Sequence, residues 1–240
     1  MEPYPQEQDN TQSNTKQWLL IGTLVIITAA IGITLVLKLM PSQLDVAQQQ
    51  ADLIRWEQAG KIDDIPLAQQ HFAYIHMFAE NKVEYAHAFQ LLGRIQTLLN
   101  RQASSSVAIE PASQWFEQAS TLNPGNYHNW LLLVSSYAAE QAEPEAFNTA
   151  MKHALRQGRN EDMALELLPE YILRHWDILD EKNRKLSARF FDSAFETHEW
   201  ALHILNITQK THQYDVMLSL IPDKPKYLDI IAYYKQKDRG

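Results

Sequence analysis

The chain contains no cysteine. Disulfide bridges, thiolate metal sites and a cysteine nucleophile are therefore excluded, and the composition is compatible with an oxidising compartment. Glycine is scarce, at 7 residues in 240, and no glycines cluster into a loop that could cradle a phosphate. Gly22 and Gly32 lie in a long apolar run, while Gly60, Gly93, Gly125 and Gly158 stand alone. The nucleophile elbow Gly-x-Ser-x-Gly and the zinc motif His-Glu-x-x-His are also missing. Basic residues are in deficit, with 21 Lys and Arg against 29 Asp and Glu and a formal net charge of −8. Nucleic-acid binding, which needs a cationic surplus to neutralise phosphates, is set aside. What the chain does have is abundant Ala, Leu, Gln, Glu and Lys, with 45% apolar residues. These favour helix over sheet and suffice for a hydrophobic core, so an all-α fold is expected.

The N-terminus divides in two. Residues 1–17, MEPYPQEQDNTQSNTKQ, are polar and read as a disordered tail. From Trp18 to Leu37 no residue is charged. About 20 apolar residues at roughly 1.5 Å each span a hydrocarbon core of about 30 Å. Trp18 suits the interface, Lys38 can reach the headgroups, and Pro41 ends the run. The run is longer than a signal-peptide core and no small-x-small cleavage site follows it, which predicts a retained single transmembrane helix over 18–40 in contact with the lipid bilayer. Lys16 and the terminal amine oppose Lys38 and Arg55, so the positive-inside rule gives little orientation. Thr28-x-x-x-Gly32 is a small-x-x-x-small pair of the kind that seats a neighbouring helix.

Helical periodicity then continues from residue 42 to the end. The segment 42–60 starts at Ser42 as N-cap, carries a stripe at Leu44, Ala47, Ala51, Ile54 and Gln58, and stops at Gly60. The segment 66–81 opens on Pro66 at the first helical position, with Leu67, Phe72, Ile75 and Phe78/Ala79 on one side. A longer helix over 82–102 ends at the loop Ser104-Ser105-Ser106.

The most regular stretch is 111–158. Ala112, Phe116 and Ala119, followed by Pro124, have the spacing of the second helix and terminal proline of a tetratricopeptide repeat (TPR). Six residues past Pro124 comes Trp130, then Leu133 and Tyr137, and Ala146 falls 34 residues after Ala112, which is the repeat period. Small residues let helices approach, aromatics fill the gaps between pairs, and proline stops one helix so that the next can turn back. The expected architecture is a TPR-like α-solenoid of antiparallel helix pairs over 42–240, irregular at both ends. Leu167 and Tyr171 continue the register, but Asp180 stands where a small residue belongs, and Pro169 predicts a kink or break. Leu92-Gly93 has a first-helix signature, yet Ala112 comes about seven residues too late for it. Residues 181–198, 199–209, 213–221 and 225–237 read as further helices.

Residues 129–195 hold a Trp-Leu helix, then Ala-Leu-x-x-Gly at 154–158, then Trp-x-x-Leu at 176–179. In this and in its single-pass layout the chain resembles small membrane-anchored TPR-like proteins of bacterial surface-polysaccharide systems, the VpsP-like group. Where a common form of the pattern has Gly-Pro, this chain has Gly158-Arg159. The resemblance implies an inner-membrane protein with a cytoplasmic N-terminus and a periplasmic helical domain that docks protein partners of an exopolysaccharide, capsule or O-antigen assembly system.

Candidate chemistry is thin. Glu84-x-x-His87 has the spacing of a di-iron pair but lacks the second copy such a centre needs, and Glu199 with His203 reads as a helix-surface pair. No metal, no cofactor and no catalytic constellation is expected. The remaining function class is binding on the concave face of the first helices. Candidates there are His128, Leu131, Ser135 and Ala138, with Asp162, Leu165 and Ile172 from the next unit. Leu131 and Ser135 occupy two places of the Lys/Asn clamp that other repeats use for a C-terminal carboxylate, which disfavours that mode. Lys182, Lys185 and Arg189 form a basic stripe suited to a solvated face, an acidic headgroup or an anionic glycan. Lys224, Lys226, Lys235, Lys237 and Arg239 share that ambiguity. The leading expectation is a non-catalytic scaffold. An envelope chaperone and a glycan-acting enzyme are the alternatives.

Overall fold

In the computed structural model, residues 48–81, 86–102, 110–221 and 223–238 are described. The expected tail at 1–17, the transmembrane helix at 18–40, Ser42, Glu84, the serine loop at 104–106 and Arg239 lie outside them. Among the described residues all regular structure is helical, and no helix is long and apolar enough to cross a membrane.

The chain divides into compact units at 1–55 and 56–240. In the first, Arg55 Nη2 pairs with Asp52 Oδ1 one turn back at 3.2 Å. Residues 48–59 are helical (α1). The expected stripe has the wrong phase: Ala51 and Gln58 are exposed and Ile54 is 49% exposed, whereas Leu53 and Trp56 are buried. Gly60 does end α1, at φ +67. Lys61 N donates to Trp56 O at 3.1 Å there, the terminal bond that a left-handed residue permits.

The second unit continues with α2 (Ile65–Asn81), α3 (Ala86–Gln102), α4 (Ser113–Leu122), α5 (Tyr127–Glu140), α6 (Pro144–Gln157), α7 (Asp162–Arg174), a 3-10 turn (Trp176–Ile178), α8 (Glu181–Ala194), α9 (His198–Thr211), α10 (Tyr214–Leu220) and α11 (Pro225–Lys237). Helix α2 starts one residue before Pro66, on an Asp64 cap whose Oδ1 accepts from Leu67 N at 2.9 Å. Its buried line is Ala68, His71, Ile75 and Ala79, with Leu67 and Phe72 half-buried beside it. Consecutive helices pack as hairpins: α2 on α3, α3 on α4, α5 on α6 and α10 on α11. From α5 onward a second order appears. Helices α5, α7, α9 and α11 pack successively in one layer, and α6, α8 and α10 in another, an arrangement compatible with a solenoid.

The turn at Pro124 and Gly125 works as a unit with the helices after it. Pro124 O accepts from Trp130 Nε1 at 2.8 Å and from Gln157 Nε2 at 2.7 Å, tying α5 and α6 to the turn. The Trp130 ring lies on His153 at 4.2 Å and 15°, and Asn126 caps α5 through His128 N. Ala112, Phe116, Ala119 and Leu133 are buried, while Trp130, Tyr137 and Ala146 are half-buried. Burial repeats 34 residues apart: Ala150 answers Phe116 in the expected register, while Phe147 answers Ser113 and Ala154 answers Ser120 one position later than Ala112 and Ala119. Gly93 lies against Phe116, where an added Cβ would stand 2.5 Å from Cε1. Although Ala112 comes about seven residues late for the first-helix signature, α3 and α4 pack together.

The third pair departs for a visible reason. Three residues join α5 to α6, whereas α7 and α8 are joined by 175–180, which includes the 3-10 turn. The extra length moves α8 forward, so Asp180 becomes its N-cap, accepting from Asn183 N at 2.7 Å, rather than a packing position. Pro169 does not interrupt α7, which runs through it with Leu168, Ile172 and Leu173 fully buried around it. Leu167 is 37% exposed and leaves the apolar register.

Candidate partner-binding groove

Three helices of the second unit each present a surface stripe at helical spacing. Helix α3 offers Arg94, Thr97 and Arg101 around the buried Leu98, α5 offers Leu132, Ser135 and Ala139, and α7 offers Glu166, Leu167, Glu170, Tyr171 and Arg174. A cavity of about 440 Å³ lies between α3, α4 and α5, floored by Leu98, Ala112, Phe116 and Leu132. A second, of about 380 Å³, lies between α3, α5 and α7. Arg101, Ser135 and Ala139 border both, so the two adjoin as one groove across the three helices.

Polar side chains lock the helices that carry it. Buried Gln90 of α3 donates to Asn129 Oδ1 at 3.1 Å, and Asn129 Nδ2 donates to Ala119 O at 3.1 Å, joining α3, α5 and α4. Gln90 also meets His128 Nδ1 at 3.3 Å and His87 Nδ1 at 3.1 Å. Tyr171 OH donates to Ser135 Oγ at 2.6 Å, which ties α7 to α5 inside the groove. Glu140 Oε1 accepts from Ser136 Oγ at 2.8 Å and from Ser113 N at 3.1 Å, capping the start of α4. Arg94 grips Glu57 through two bonds, Nε to Oε1 at 2.7 Å and Nη2 to Oε2. Glu170 accepts from Arg174 Nε at 2.8 Å and pairs with Lys210 at 3.1 Å. Burial alone would raise the Glu170 pKa, but the bonds from Arg174 and Lys210 outweigh it and hold the carboxyl below its ordinary range.

The sequence candidates separate. Ser135 and Ala138 are brought together in the second cavity. Leu131, Leu165 and Ile172 are not surface residues at all, with exposures of 1%, 7% and 0%. They form core: on α5 Leu132 rather than Leu131 faces the groove, and on α7 Glu166 and Tyr171 face it rather than Leu165 and Ile172. His128 is half-buried, and burial, then the Arg94 charge, pushes its pKa down. Asp162 is exposed at the start of α7; burial, then the charges of Glu161 and Asp162, raise the Tyr127 phenol. Lys182, Lys185 and Arg189 are exposed on α8 and line neither cavity; Lys185 pairs with Glu181 at 2.5 Å. Near the C-terminus Lys224 pairs with Asp192 at 3.3 Å and with Glu196, Lys235 pairs with Asp215, and Lys226 stands 5.5 Å over the Tyr227 ring. His203 meets Glu166 O at 3.0 Å instead of Glu199. Among the described residues no group of three or more metal-ligating side chains comes together.

Sequence reading missed Arg94, Arg101, Leu132, Ala139, Glu140 and Glu170. The 94-97-98-101 spacing was a usable signal for α3, since it repeats i, i+3, i+4, i+7 on one face. No family model, curated protein or solved structure matches the chain.

Proposed function

We propose that the chain is a non-catalytic adaptor, a TPR-like helical array rooted in a bacterial inner membrane by residues 18–40, which holds a segment of a protein partner in the groove of α3, α5 and α7. The carrying observation is the pair of adjoining cavities across three helices, with an apolar floor and charged walls. Such a surface suits an extended segment, whose side chains enter pockets while its backbone stays along the groove. The long uncharged run at 18–37 supports the anchor, and the likeness to envelope polysaccharide proteins suggests a partner in a surface-polysaccharide assembly system. The apolar floor of Leu98, Phe116 and Leu132 favours, as a second reading, an envelope chaperone that holds unfolded clients.

Ala139→Arg provides the test. The position is exposed and borders both cavities, so a long side chain fills the groove without entering the core. The full chain, purified in mild detergent from crosslinked membranes, is expected to carry one stoichiometric partner that the variant loses. Retention of the partner by the variant contradicts the reading, and a broad set of unfolded clients moves the assignment to the chaperone.

A further inference from the structure

The groove's charges are unequally satisfied, and the inequality defines a ligand. Of the three arginines lining it, Arg94 is bound by Glu57 and Arg174 by Glu170, which also holds Lys210. Glu140 Oε1 accepts from Ser113 N and Ser136 Oγ, neutral donors that leave its charge without a cationic partner among the described residues. Arg101 has no acidic partner among the described residues, although it is exposed and borders both cavities. It stands beside the apolar floor of Leu98, Phe116 and Leu132. On the opposite wall, the Glu166 carboxylate likewise has no partner among the described residues. Charge without an opposite partner among the described residues is therefore positive at Arg101 on α3 and negative at Glu140 on α5 and Glu166 on α7.

We infer that the groove takes an extended peptide segment in which one acidic side chain, seated on Arg101, adjoins a bulky apolar side chain seated on Leu98, Phe116 and Leu132. The inference rests on the partner-binding reading of this same groove. A planar guanidinium without a competing carboxylate offers two parallel N–H donors to an incoming one. Arg94 and Arg174 offer less, because an acidic ligand there must displace a carboxylate already bound. The adjoining cavity, at about 440 Å³, admits an aromatic or large aliphatic side chain. A single acidic residue fits better than an acidic run, since Glu166 and the net charge of −8 repel a polyanion.

A displayed library of random heptapeptides, selected on the immobilised full chain in mild detergent, tests this. The native chain is expected to enrich peptides with one Asp or Glu within about three positions of Phe, Trp, Leu or Ile, a separation the extended chain covers at roughly 3.3 Å per residue. The best of them should bind Arg101→Glu at least about tenfold more weakly, and that variant should enrich Lys or Arg at the acidic position. Arg101→Gln, a shorter side chain that stays polar but carries no charge, should lose the acidic preference without gaining a basic one. Peptides enriched without acidic residues, or alike by all three proteins, overturn the inference while the groove reading survives. No enrichment over bare resin overturns both.

Discussion

At the scale of residues, two positions show how packing and charge set the properties of the unit. Gly93 is helical and lets the Phe116 ring lie against the backbone of α3, with a would-be Cβ 2.5 to 2.8 Å from three ring carbons. Gly93→Ala gains about 1 kcal/mol of helix propensity but overpacks a buried ring at a cost of about 1–3 kcal/mol. Phe116 is 2% exposed and cannot swing out, which favours the upper end of that cost, so a net loss of up to about 2 kcal/mol is expected, read from urea unfolding. The three shifted histidines make a pH prediction of definite sign. Burial lowers His128, His153 and His175, with nearby Arg94, Lys152 and Arg156, and Arg174 adding to it. Each folded pKa lies below the ordinary value, so the unfolded chain binds more protons in acid. Their contribution is complete above about pH 6.5 and is lost as the pH falls below it. The urea midpoint should drop between pH 7 and pH 5, and His128→Gln should flatten that drop; a midpoint that rises on acidification contradicts the assignment.

At the scale of elements, helix existence was legible and helix phase was not. Pro66, Pro144 and Pro225 mark starts, and Gly60 marks a stop, because backbone chemistry restricts those positions whatever surrounds them. The run Leu131-Leu132-Leu133-Val134 offers no polar residue to fix its rotation, so Leu131 reads as groove when it is core and the groove residue Leu132 goes unnoticed. The groove's charged members escaped notice for a related reason. Arg101 and Glu140 look like ordinary solvated positions until the neighbouring helix is in place. The third pair's shift was legible only as a failure of spacing, since nothing in His175–Asp180 announces a 3-10 turn. One local device is improvable. Gln141 ends α5 in the left-handed region at φ 54, with Ala142 N donating to Tyr137 O at 3.0 Å. Gln141→Gly removes the side-chain penalty there and should stabilise by roughly 0.5–1 kcal/mol, seen as a higher melting temperature.

At the scale of the whole molecule, the proposed adaptor role joins two features read independently, an uncharged N-terminal run and a groove across α3, α5 and α7. If the groove is where a partner lies, its positions must touch that partner and positions on the other helical layer must not. A photoreactive amino acid placed at Ala138 or Ala139, with Lys182 on α8 as the comparison, measures this in living cells. The account predicts a discrete crosslinked adduct from both groove positions, absent at Lys182 and abolished from Ala138 by Arg101→Glu. No adduct from the groove, or equal adducts from α8, would contradict it.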